Sequence, residues 1–200
     1  MRYVCLLPLI LAAHVNSAAA EWAPVRKVEG IQVEGRENPS GFNTHRAEVF
    51  LCTGMSDLAA YIADTSRYDE WIPNLEQVRL LEASADSVIY YMKSKAPWPV
   101  KPRDMVYQLT DLNVSPDALE LAVAIKGLPA YLPESKEAYR MREAAGEWRI
   151  VPEADGLRVT HQFYVDPGNV PKLFANRSMA TSLAKTLINL ARQFPCQLDS

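Results

Sequence analysis

His161 stands mid-strand among Val159, Phe163 and Val165, and alternation puts all four side chains on one face. An imidazole there can hydrogen-bond a hydroxyl or carbonyl of a bound molecule, or it can be a core histidine satisfied by its own neighbours. Set beside the phenols of Tyr90 or Tyr107, it can also move a proton. Arg103-Asp104 is a second candidate. As a charge pair it would grip a polar group, but at a strand entrance Arg satisfies loop carbonyls and Asp caps turns, and that structural reading is preferred. Arg140 and Arg142 share one parity, opposite to Tyr139 and Met141. A buried arginine there would hold a phosphate group, yet desolvating it unpaired is costly, so both are expected to face solvent. The chain has no metal-ligand cluster, no Gly-rich phosphate loop, no nucleophile elbow and no Cys-His pair at useful spacing. No catalytic residue, metal or cofactor is therefore expected.

These side chains need strands and a helix to hold them. Thr44 to Cys52 alternates Ala47, Val49 and Leu51 against Arg46, Glu48 and Phe50. Val78 to Leu81, Val88 to Ser94, Met105 to Asp111 and Leu119 to Ile125 follow as an antiparallel meander, with turn signals at Ala83 to Asp86 and Ser115-Pro116-Asp117. Tyr139 to Arg142 is expected to pair with Trp148 to Val151, and Leu157 to Val165 to close the sheet after an Asp155-Gly156 hairpin turn. Nearer the start, Val25 to Glu37 reads as two short strands or one bulged strand around Gly30. Ser56-Asp57 is expected to cap a helix running through Asp64, and Tyr68 and Trp71 to pack beside the sheet as core. Pro171 to Phe194 is the one long helix, with Leu183, Leu187 and Leu190 on a stripe of period 3.6 that belongs on the concave side of the sheet.

The strands also offer matched inward sets: Val88, Tyr90, Met92 and Ser94; Met105, Tyr107 and Leu109; Leu119, Leu121, Val123 and Ile125. All are apolar or carry one hydroxyl. Such faces line pockets for hydrophobic molecules, and they equally pack flush on a helix as a filled core.

Four stretches, in their order, carry a resemblance. They are Pro97-Trp98-Pro99-Val100-Lys101-Pro102-Arg103-Asp104-Met105-Val106-Tyr107, then Tyr139-Arg140-Met141-Arg142, then Trp148-Arg149-Ile150-Val151-Pro152, then Tyr164-Val165-Asp166-Pro167-Gly168-Asn169-Val170-Pro171-Lys172-Leu173. From about Trp22 to about Phe194 the chain resembles the START domains, the steroidogenic acute regulatory protein-related lipid transfer domains. The resemblance implies an α+β helix-grip (START/Bet v 1-like) fold, a curved antiparallel β-sheet wrapped around a long C-terminal α-helix. It implies a hydrophobic ligand, a lipid or similar small molecule, in an internal cavity. The walls it implies are Tyr90, Met92, Met105, Tyr107, Leu109, Leu121, Val123, His161, Phe163, Leu183 and Leu187. The loop Gly127 to Pro133 looks like a lid, with Leu128, Tyr131 and Leu132 touching the final helix near Phe174. Sterol-binding relatives place a buried acid and arginine at positions that look like Tyr90 and Leu109 here, so that charged pair is absent. Helix-grip cyclases and aromatases supply the alternative, an enzyme acting on a hydrophobic substrate.

Residues 1 to 20 read as a signal peptide: Arg2, an apolar run from Val4 to Ala13, and Ala18-Ala19-Ala20 before Glu21. The remaining 21–200 suit one domain, since 200 residues with 48% hydrophobic and 22% charged side chains can close a single core. Losing Arg2 from 21 basic residues leaves 20 against 24 acidic ones, a net charge of −4. That balance speaks against nucleic acid as a partner. A periplasmic or secreted monomer is expected, with transient membrane contact as a further partner. In an oxidising compartment Cys52 and Cys196 are either a disulfide or two buried thiols, and the sequence leaves both open.

Overall fold

The computed structural model describes residues 21–115 and 118–196. The leader at 1–20, with Cys5, and the Pro116-Asp117 part of one turn lie outside the described residues. The chain opens with β1 (Ala23–Val28) and β2 (Ile31–Arg36), paired antiparallel with a register shift between Pro24 and Arg26. The two short strands and the bulge are thus both present. β3 (Thr44–Leu51) follows, then α1 (Met55–Ala63), a 3-10 turn at Thr65–Arg67 and the one-turn α2 (Tyr68–Trp71). α1 starts two residues earlier than a Ser56 cap would give: Gly54 is its N-cap, and Asp57 sits in the first turn, where its charge suits the helix N-terminus.

The meander is β4 (Leu75–Ala83), β5 (Ser87–Ser94), β6 (Arg103–Thr110) and β7 (Leu121–Gly127). Leu119 is 87% exposed and precedes β7, whose pairing begins with Leu121 opposite Ile150. After the two-residue β8 (Tyr139–Arg140) come the long hairpin strands β9 (Glu143–Glu153) and β10 (Gly156–Asp166), then α3 (Lys172–Gln193). The sheet runs β1-β2-β3-β10-β9-β7-β6-β5-β4, and α3 packs mainly against β3, β2 and β1. This is the expected curved antiparallel sheet gripping a C-terminal helix.

The expected pairing of Tyr139–Arg142 with Trp148–Val151 is not formed. β9 is already flanked on both sides, since Trp148 lies opposite His161 of β10 and Val123 of β7. β7 covers only Tyr107 to Thr110 of β6, which leaves the start of β6 open on that side. β8 fills the opening by pairing parallel to it, Tyr139 opposite Arg103 and Arg140 opposite Asp104.

That placement corrects the expectation that both arginines face solvent. Arg142 is exposed, but Arg140 is buried, and its guanidinium grips Asp104 twice, Nε to Oδ1 at 2.9 Å and Nη2 to Oδ2 at 3.1 Å. It also donates to the carbonyls of Pro129 at 2.6 Å and Leu132 at 2.9 Å. Desolvation is met by a fully buried counter-charge and by loop oxygens, so the arginine serves the fold and holds no head group.

The strand interior divides along its length. At one end Leu51, Leu58, Ile150, Leu187 and Leu190 are all fully buried and pack as a filled core. Cys52 and Cys196 are joined by a disulfide at this end, which resolves the alternative the sequence left open. The other end is hollow.

Candidate ligand-binding cavity

The hollow follows from the ladder registers. Tyr90 lies opposite Tyr107, and Ser94 opposite Arg103, so alternate residues of β5 and β6 face one space. His161, Phe163 and Val165 face it from β10, and Trp148 from β9. The roof is one face of α3, where Phe174, Ala175, Ser178, Met179, Ser182 and Thr186 recur three or four residues apart. Tyr68 and Trp71 close the inner side from α2. Gly168, at φ 78°, makes the turn from β10 into α3, and a side chain there would meet the Tyr139 ring. The hollow, open at its mouth, has a volume of about 240 Å³.

Of the side chains expected to bind, Tyr90, Met92, Tyr107, Leu109, His161, Phe163 and Leu183 line this space, as does Phe174. Met105, Leu121, Val123 and Leu187 are buried but do not line it. Leu128, Tyr131 and Leu132 do not line it either. Their loop is moored elsewhere: Leu128 N–H donates to the Val106 carbonyl at 2.7 Å, the Tyr131 hydroxyl bonds Glu82, and Arg140 holds the carbonyls of Pro129 and Leu132. The segment that does border the mouth is the β5–β6 connection, through Lys95, Ala96, Pro97 and Val100. Tyr68, Trp71 and Trp148 escaped the sequence reading as wall residues, since a large aromatic in a core and one in a cavity wall leave the same pattern.

The polar atoms inside are few and uncharged. His161 Nδ1 lies 3.1 Å from the Glu147 carbonyl oxygen, which can only accept, so Nδ1 carries the hydrogen and Nε2 is left as an acceptor. The ring stacks flat on Trp148, with centroids 3.7 Å apart and planes at 3°. Burial lowers the His161 pKa to about 4, so the imidazole is neutral at ordinary pH. Burial likewise pushes the phenols of Tyr68, Tyr90 and Tyr107 upward, and they stay protonated. The Tyr68 hydroxyl donates to the Ile62 carbonyl at 2.8 Å. Trp71 Nε1 is buried with no acceptor among the described residues. The charged side chains among the described lining residues are Lys95 and Arg103, both at the mouth. Arg103 donates to the Lys101 carbonyl and lies over the Tyr139 ring, 5.3 Å from its centroid, while Asp104 turns away to Arg140. Among the described residues no group of three His, Cys, Asp or Glu could hold a metal ion.

The START domain family pattern matches residues 9–110 of the chain. The crystal structure of a STAR-related lipid transfer protein from Xanthomonas axonopodis is 32% identical, covering 86% of this chain and 97% of that one, with a TM-score of 0.77. The chain belongs to the START family. The human StarD13 lipid transfer and protein localization domain shares the START fold at 13% identity, over 89% of this chain and 91% of that one, with a TM-score of 0.73. An uncharacterized protein of Pseudomonas aeruginosa is 25% identical over 95% of each chain. At the two positions that look like the sterol-type acid and arginine, this START domain places Tyr90 and Leu109, both in the cavity wall.

Proposed function

We propose that this START domain takes up one hydrophobic molecule, a lipid or lipid-like compound, and carries it between membranes in an exported compartment. The observation that carries the proposal is the hollow between sheet and helix, with aromatic and aliphatic walls and no charge inside. Uptake is driven by removing the guest's apolar surface from water, about 25 cal/mol per Å². The mouth suits contact with a membrane: Trp98 on the β5–β6 connection is 93% exposed and Leu173 at the start of α3 is 83% exposed. Large apolar side chains left in water beside Lys95, Lys101 and Lys172 match an interface of lipid head groups. No described helix is long and apolar enough to cross a membrane. Export, with residues 1–20 removed, is supported by the leader pattern and by the Cys52–Cys196 disulfide, a bond that persists in oxidising compartments. One chain supplies the whole cavity, and a monomer is the proposed unit.

The enzyme alternative is less well served. A general base works best with a pKa near the operating pH, whereas His161 sits at about 4 and the phenols are raised. We therefore assign His161 and the tyrosines to binding. Native mass spectrometry of protein purified from an exporting host tests the carrier reading. A hydrophobic molecule bound one to one is the expected result; a chain that emerges empty and takes up no hydrophobic dye overturns it.

A further inference from the structure

We infer that the cavity selects an uncharged, compact alcohol, bound with its hydroxyl inward against His161, and discriminates against anionic and cationic amphiphiles of the same tail. The inference rests on the carrier reading and specifies its ligand. The first support is size: about 240 Å³ lies below the roughly 300–1,000 Å³ common for small-molecule pockets, which fits a compact guest.

The second support is the unpaired hydrogen-bonding capacity inside. His161 Nε2 is an acceptor with no donor among the described hydrogen bonds, its Nδ1 being committed to Glu147. Trp71 Nε1 is a buried donor without an acceptor. Both rings contact Trp148, at centroid distances of 3.7 Å for His161 and 5.9 Å for Trp71. The Tyr107 hydroxyl also makes no described hydrogen bond, and Phe163 lies between the two walls, 6.1 Å from Tyr107 and 5.8 Å from His161. A ligand that donates to His161 Nε2 gains a hydrogen bond that a hydrocarbon of the same bulk cannot make.

Chemistry then narrows the class. A carboxylate or phosphate only accepts, so it cannot serve Nε2, and it would be buried without a cation, since Lys95 and Arg103 stand at the mouth. An ammonium can donate, but no Asp or Glu lines the cavity among the described residues. A hydroxyl is neutral and can donate to His161 Nε2.

Displacement of an uncharged naphthylamine dye by decane, decanol, decanoate and decyltrimethylammonium at neutral pH is the test. Decanol should displace the dye at a concentration at least about tenfold lower than either charged probe and below that of decane. His161→Phe keeps the ring on Trp148 and removes the acceptor, and it should bring decanol down to decane. Tyr107→Phe, which deletes one hydroxyl, should narrow the same ratio and serves if His161→Phe does not fold. A preference for decanoate or for decyltrimethylammonium, or an alcohol preference intact in both variants, overturns the inference while leaving the carrier reading standing. Failure of the dye and of every probe to bind overturns both.

Discussion

Replacing Ser182 by Phe asks directly whether the interior is hollow. Ser182 sits on the face of α3 that roofs the cavity, between Met179 and Thr186, and its hydroxyl makes no described hydrogen bond. Empty space of this kind costs about 24 cal/mol per Å³, so about 240 Å³ represents about 6 kcal/mol of forgone packing when dry. A phenyl ring that fills about a third of it should raise the stability of the empty protein by about 2 kcal/mol, or roughly 4–8 °C in Tm for a chain of this length. The same ring should abolish dye uptake. Urea unfolding and dye titration, run on one preparation, read both effects. In a core already packed flush the ring has nowhere to go, and overpacking typically costs about 1–3 kcal/mol. A destabilised Ser182→Phe protein that still binds dye as well as the parent refutes the reasoning.

Two further perturbations follow from buried charge. Arg140→Met leaves Asp104 fully buried without its partner and should cost about 3–5 kcal/mol in urea unfolding, whereas adding Asp104→Leu should restore much of the loss; equal losses in single and double variants would mean the pair is not the cause. Acidification acts through His45 and His161, both lowered from 6.5 to about 4 by burial. Because the folded pKa lies below the unfolded one, the unfolded chain takes up the proton first, so stability present above about pH 6.5 is lost as the pH falls toward 4, at about 1.4 kcal/mol per pH unit for each histidine. His45→Leu should flatten that dependence between about pH 6.5 and about pH 5 by one histidine's share, and an unchanged slope in urea titrations would rule His45 out.

Alternation along β5, β6 and β10 was enough to say which side chains face inward, and Tyr90, Tyr107, His161 and Phe163 all do. It was silent on where along a strand the helix touches. Leu121, Val123 and Leu187 carry the same pattern as the wall residues yet lie in the packed end, because contact with α3 is set by tertiary placement. The burial of Arg140 is illegible in the sequence for a related reason. β8 is two residues long, too short for a period, and its counter-charge Asp104 lies 36 positions earlier in the chain. The resemblance makes the loop at Gly127 to Pro133 a cover, but no local pattern reveals that an arginine inside the protein holds its carbonyls. Trp71 and Tyr68 read as core and are buried, and their second duty at the cavity wall leaves no separate trace in the sequence.

The link between Cys52 and Cys196 spans 144 residues and fastens the tail of α3 to the end of β3. There Phe194 packs edge-on against Tyr61 and Asn189 donates to the Trp71 carbonyl. At the opposite end α3 is secured by Asn176, whose side chain bonds Gly41 and Asn43. One end of α3 is thus held by a covalent bond and the other by hydrogen bonds, so the N-terminal end, beside the hollow, is the end that can part from the sheet without breaking a covalent link.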